Sequence, residues 1–355
     1  MPTASQFVDN GNHYSNEKRE QQSACFRIVQ REIGLPIFRT YSLNNTIRLK
    51  VTRRNPMKKT HRIRKITKTK LLCEKLEERR LLAIDVAVID GDLVISGEAN
   101  GAVTVRSLED GSIEVQEGDK VVANFTDVTD DILIDLDSTG TIDDTVIIDL
   151  DAKSVDRLMV DLGNGDNQLL IESGKLSGSL LYRGGDGNDL VLLSEDSIID
   201  QNVFAFLGDG DDQVTLDGTV NRSVIVRGGD GDDTVEFGET SEVGRVANLD
   251  LGMGNNNAVI AGQIEKGLKY RGGDDNDSIQ IKESASIYSN VSLNLGDGDN
   301  LVSHKGDIDG NLVVKSMNSK DTVVVDESAI VSGRTIQRLG RDSRMSFRIV
   351  RHFHF

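Results

Sequence analysis

Glycine, aspartate and asparagine gather at eight places along this 355-residue chain, at nearly constant spacing. Each cluster has the form of a six-residue turn, and its sixth position falls at Asn167, Asp189, Asp212, Asp233, Asn256, Asp277, Asn300 and Asp321, in steps of 22, 23, 21, 23, 21, 23 and 21. Asp144 takes the same role in a weaker, earlier member. Glycine admits φ > 0 and frees backbone carbonyls to point at one spot, while the sixth-position aspartate adds a carboxylate. Such an all-oxygen set suits a hard divalent cation, which takes six to eight oxygens. The plainer explanation is that these residue types are good turn formers. Electrostatics weighs against it: unit charges about 4.8 Å apart, at an effective dielectric near 20, repel by roughly 3.5 kcal/mol. Several stacked carboxylates without an ion would rival a domain's whole net stability.

Apolar positions keep step with the turns, so the repeat is structural. Two residues past position six stand Leu169, Val191, Val214, Val235, Ala258, Ile279, Val302 and Val323. Before each turn, alternating pairs such as Leu158/Val160, Leu180/Tyr182 and Val224/Val226 predict a strand with one buried face. A third column is read at Leu176, Ile198, Val220, Val243, Ile264, Ile287, Ile308 and Ile330. Three short strands per unit, none able to stand alone, become stable when units stack. The expected fold is all-β: a right-handed parallel β-helix, or β-solenoid, of about 22-residue coils with the Gly-Asp turns stacked on one edge. Residues 84–157 keep the alternation without the full turns and read as two or three opening coils, and 158–333 carry the repeats.

The residue before each turn should face outward: Asp161, Arg183, Phe206, Arg227, Asp250, Arg271, Asn294 and Lys315. Basic residues fall on every second coil, which suggests a 44-residue duplication. Equally, the arginines read as offsetting nearby turn aspartates.

GGDGNDLVL (184–192) and GGDGDDTVE (228–236) fit the nonapeptide G-G-x-G-x-D-x-U-x at every defined position. GGDDNDSIQ (272–280) departs at Asp275, and LGDGDDQVT (207–215) at Leu207. These four turns resemble the calcium-binding repeats of the RTX, or haemolysin-type, family. The resemblance implies Ca2+ held by Gly184, Gly185, Asp186, Gly187 and Asp189; by Gly208, Asp209, Gly210 and Asp212; by Gly228, Gly229, Asp230, Gly231 and Asp233; and by Gly272, Gly273, Asp274 and Asp277. In that family each ion is shared by two stacked turns. Family nonapeptides follow one another directly, whereas here a stretch longer than the nonapeptide itself separates them. Stacking survives if one coil equals the step from turn to turn. The turns at 163–167 and 296–300 end in asparagine, 252–257 has no acid, and 317–321 lacks glycine.

Charge is uneven. The chain as a whole carries −17, but residues 83–332 carry −34 between basic ends of +12 (1–82) and +5 (333–355). An acidic middle repels nucleic acid and favours cations. Both cysteines, Cys25 and Cys73, lie in the front segment, so the middle has no disulfide framework. No apolar run is long enough for a transmembrane segment. Residues 1–56 read as a disordered or spurious extension with Met57 as the expected start. Residues 57–83 read as a basic run leading into a short helix over 71–83. Leu76, Glu77, Arg79 or Arg80, Leu81, Leu82 and Ala83 resemble the N-terminal signature of large planctomycete cell-surface proteins, which implies export. The basic tail, 334–355, is expected either to cap the last coil through Phe347, Val350, Phe353 and Phe355 or to be an aberrant end.

These features favour a structural or adhesive module, extracellular or at the cell surface, binding calcium ions and surface polysaccharide or other surface proteins. The main rival is a polysaccharide-active β-helix enzyme, a lyase, hydrolase or epimerase. The chain has no Trp, five Tyr and five His (His13, His61, His304, His352, His354). Only His304 lies in the solenoid, where it reads as a lone solvated surface side chain, and no catalytic arrangement is evident. The chain is therefore expected not to be an enzyme. The calcium-repeat portion of a secreted toxin or protease is a third reading.

Overall fold

A computed structural model describes residues 84–136, 142–317, 320–340 and 343–348. The expected extension, the export-like segment and its helix lie outside these residues, as do Val350, Phe353 and Phe355. All regular secondary structure among the described residues is β-strand.

The pre-turn strands form one twelve-stranded sheet running from 84–89 through 92–97 and 132–135 to 335–338. From 92–97 onward every pairing in it is parallel. Leu158, Leu180, Val203, Val224, Ala247, Leu268, Val291 and Leu312 stand in register, one to each turn. The chain is thus a β-solenoid with the coil length that the turns predict. Burial alternates along each strand, and both members of every pre-turn pair are in the core. Successive side chains of a strand point to opposite faces, so one face of the sheet lines the solenoid interior.

The post-turn column from Leu169 to Val323 is likewise in register and buried throughout. The third column is corrected at two places. Ile199, not Ile198, pairs with Leu176 and Val220, and Val331, not Ile330, pairs with Ile308. Ile198 is 39% exposed and Ile330 53%, whereas Ile199 is fully buried. Adjacent apolar residues leave the phase of a very short strand undetermined until its neighbour sets the register.

The opening coils are less regular than the rest. Leu93 pairs with Ile132, well beyond the ordinary coil length, because strands 103–107, 113–117 and 120–125 form an antiparallel meander within that coil. Ile84–Ile89 folds back antiparallel on Asp92–Gly97 through Asp90 and Gly91, both at positive φ. An Asp-Gly pair at φ > 0 forms the tight hairpin turn whose twist matches its strands. At the far end the basic tail continues the stack: 335–338 pairs with 312–315, and 344–348 with 322–326. It adds strands over the last full repeat.

Candidate metal centre

Position six of each turn lies two residues before the first buried post-turn residue, so strand alternation turns its side chain inward. From Asn167 to Asp321 all eight such residues are 2% exposed or less. Each uses one side-chain oxygen in the same way. The backbone N–H of Asn167 donates to Asp189 Oδ1 (3.0 Å), that of Asp189 to Asp212 Oδ1 (2.7 Å), and that of Asp212 to Asp233 Oδ1 (3.1 Å). The row continues through Asn256, Asp277, Asn300 and Asp321. Ser343 Oγ then donates to Asp321 Oδ2 at 3.1 Å.

A second row runs beside it with opposite polarity. At position five the N–H donates back to the preceding coil: Asn188 to Asp166 Oδ1 (2.8 Å), Asp211 to Asn188 Oδ1 (2.7 Å), Asp232 to Asp211 Oδ1 (2.8 Å). These side chains are exposed or half-buried. Sequence reasoning passed over this row, although its signal is legible: position five is Asn or Asp from Asp143 to Asp299.

The second terminal atom of position six separates the two residue types. In Asn167 and Asn256, Nδ2 donates to carbonyls of the same turn, Gly163 O at 2.9 Å in the first and Gly252 O (3.2 Å) and Gly254 O (3.1 Å) in the second. Asn300 Nδ2 likewise donates to Asp297 O at 2.9 Å. In Asp189, Asp212, Asp233 and Asp277 the corresponding Oδ2 is buried with no hydrogen-bond partner. These are the four sixth-position residues of the turns that resemble the calcium nonapeptide. Burial raises Asp189 and Asp277 to about 6 and Asp212 and Asp233 to about 7, against a lowering by the ladder N–H that each accepts. A carboxylate oxygen in this position requires a proton or a cation, since an uncompensated buried charge costs several kcal/mol.

At Gly187 and Gly231, both at position four, the stack leaves no room for a side chain. Gly187 (φ +134) and Gly231 (φ +140) pass so close to the preceding coil that a Cβ would lie 2.2 Å from Gly165 O and 2.1 Å from Gly210 O. The side chains of Asp186, Asp209, Asp230 and Asp274 are not buried, so the structure does not place these third-position acids with the sixth-position row. Their backbones do join the stack: Gly165 N–H donates to Asp186 O and Gly187 N–H to Asp209 O, both at 2.8 Å. Gly185 O and Gly273 O accept the N–H of Asp209 and of Asp297, each at 3.0 Å. Gly208, Gly210 and Gly229 sit against neighbouring turn carbonyls as Gly187 does. Asp275 replaces the position-four glycine in its own turn without taking a positive φ.

His304 is corrected: it is not a solvated surface residue but fully buried between Ile281 and Val325, with neither ring nitrogen hydrogen-bonded. Desolvation lowers it to about 4, against a raising by Asp307. Asp92, Asp130 and Asp131 form the one acidic trio among the described residues with carboxylate oxygens close enough to share an ion. There Arg157 already pairs with Asp131, donating to both of its carboxylate oxygens.

The outward column before the turns is in register as expected. Arg183 reaches Asp161 at 3.7 Å, Arg271 reaches Asp250 at 3.8 Å, and Arg227 lies over the Phe206 ring at 5.3 Å. These arginines pair along the column, with Asp161, Asp250 and Phe206, rather than with turn aspartates. No protein-family model, curated protein or solved structure matches this chain.

Proposed function

We propose that this chain is a calcium-binding β-solenoid with a structural or adhesive, non-catalytic role, outside the cell or at its surface. The observation that carries this reading is the buried, unpartnered Oδ2 of Asp189, Asp233 and Asp277, each packed against the first glycine of its turn. They lie in three of the four turns that resemble the calcium nonapeptide, and a leucine carbonyl of the next coil approaches each. An all-oxygen, anionic donor set of this kind selects a hard cation, and calcium accepts irregular cages that magnesium does not. Bound at the turns, the ion would neutralise the stacked charge and add its binding free energy to folding. The rod would then be rigid where calcium is plentiful. The external setting is inferred from that need and from the export-like segment before residue 84. The solenoid's single histidine is sealed in the core, so it is not available as a surface catalytic base.

Titration calorimetry of the full chain tests the reading. It expects calcium uptake at or below millimolar ion, a higher melting temperature with calcium than in chelator, and a weaker response to magnesium. No uptake at millimolar calcium, together with an unchanged melting curve in chelator, would leave only the turn-former explanation.

A further inference from the structure

The first position of the turn alternates along the solenoid: Leu162, Gly184, Leu207, Gly228, Leu251, Gly272, Leu295. All four leucines are fully buried. At each of the three glycines the sixth-position carboxylate occupies the space a side chain would take. A Cβ on Gly184 would lie 1.6 Å from Asp189 Oδ2, on Gly228 1.8 Å from Asp233 Oδ2, and on Gly272 1.7 Å from Asp277 Oδ2. The carbonyl of the next coil's leucine approaches the same point: Leu207 O at 2.4 Å, Leu251 O at 2.4 Å and Leu295 O at 3.1 Å.

Resting on the calcium reading above, we propose that the ion-binding unit is two coils rather than one. One divalent cation seats at each glycine-first turn, held by Asp189, Asp233 or Asp277 together with the leucine carbonyl of the following coil. The leucine-first turns hold no ion of their own.

The chemistry differs between the two kinds of coil. At a glycine-first turn a buried carboxylate oxygen and a carbonyl oxygen converge on one spot, and a cation seated there offsets both. Tyr182 and Tyr270, two residues before Gly184 and Gly272, bury hydroxyls that make no hydrogen bond of good geometry. Their hydroxyls lie beside Asp189 and Asp277. Asp233 has no such neighbour, since Val226 stands at the tyrosine position of its coil. At three of the four leucine-first turns position six is asparagine, and its amide hydrogens bond the turn's own carbonyls. Those hydrogens do what a cation would do, so nothing further is needed. Asp212 is the exception, a carboxyl in a leucine-first turn: it serves the ladder between the Gly184 and Gly228 coils, and its orphaned Oδ2 is answered by a proton rather than by an ion. The same two-coil period appears on the outer face as Arg183, Arg227 and Arg271.

The test is the calcium stoichiometry of the full chain by equilibrium dialysis, with circular dichroism to confirm folding. Asparagine already fills position six at 167, 256 and 300, so Asp→Asn is a fold-preserving variant here. Asp189→Asn, Asp233→Asn and Asp277→Asn should each bind one ion fewer than the wild type, and the triple variant three fewer. Asp212→Asn should bind as many as the wild type. Loss of an ion in Asp212→Asn, or no loss in the other three, overturns the two-coil unit while leaving calcium binding in place. No uptake by the wild type overturns both.

Discussion

The backbone N–H of Asp189 donates to Oδ1 of Asp212, one coil later, at 2.7 Å. One carboxylate oxygen of Asp212 is thereby committed to holding two coils together, and the other is left buried with nothing to bond. Each of the four aspartates with an orphaned Oδ2 thus has a structural half and a charged half. Experiments can separate them.

Replacing Asp233 or Asn256 by alanine removes a ladder acceptor in either case, from Asp212 N–H or from Asp233 N–H. A buried donor left unsatisfied costs about 1–3 kcal/mol, so both variants should melt lower in chelator. Only Asp233→Ala should also lose part of the calcium-dependent stabilisation. Melting curves with and without calcium distinguish the two effects, and an equal calcium response in both variants would contradict the assignment.

In chelator, stability should fall as pH rises. The folded-state values of Asp189, Asp212, Asp233 and Asp277, about 6 to 7, lie above the ordinary 3.8. A carboxyl raised on folding contributes stability that is fully present below its unfolded value and lost as pH climbs through the folded one. The chelated protein should therefore melt several degrees lower at about pH 8 than at about pH 5. Calcium should flatten this slope. A chelated protein that is steadier at the higher pH would refute the burial of unneutralised carboxyls.

His304 has the opposite sign. Held at about 4 in the folded state against 6.5 unfolded, it penalises folding increasingly as pH falls from about 6.5 towards 4. Asp307, which tends to raise it, only partly counters the burial. Neither nitrogen has a partner, so His304→Leu should stabilise the fold by about 1–3 kcal/mol at neutral pH. It should also reduce acid lability, as read from urea unfolding at two pH values. A destabilised leucine variant would reveal a partner for the ring.

Gly231→Ala should be among the most damaging single-methyl substitutions in the chain. Its φ of +140 is strained for alanine, and the new Cβ would meet Gly210 O at 2.1 Å. Backbone strain alone costs about 1–3 kcal/mol, and the clash adds to it. Thermal melting checks this. A loss under about 0.5 kcal/mol, typical of a neutral surface change, would show that the turns are not stacked as described.

Deleting residues 334–355 removes the strands 335–338 and 344–348 that pair with 312–315 and 322–326. Val314 and Val323, fully buried in the intact chain, would then line an open solenoid end. Unpaired strand edges of that kind promote self-association. Light scattering and a lower melting temperature should report it, and unchanged behaviour would rule out a covering role.

The repeat could be read from the chain because it is written twice, in turns and in apolar columns that share one phase. Position six, the post-turn core from Leu169 to Val323 and the outward Asp/Arg column all follow from period-two alternation counted from the turn. Counting could not place Ile199 over Leu176, since two adjacent isoleucines satisfy the same pattern and only pairing with the neighbouring coil chooses between them. Nor could it show His304 as a core residue, because a histidine inside an apolar strand is polar by type and buried only by its place in the stack. The orphaned Oδ2 of Asp189 and its approach to Gly184 were likewise beyond the sequence. Spacing brings carboxylates to one edge, but which oxygen bonds and which is left over depends on coils one full repeat apart lying directly on one another.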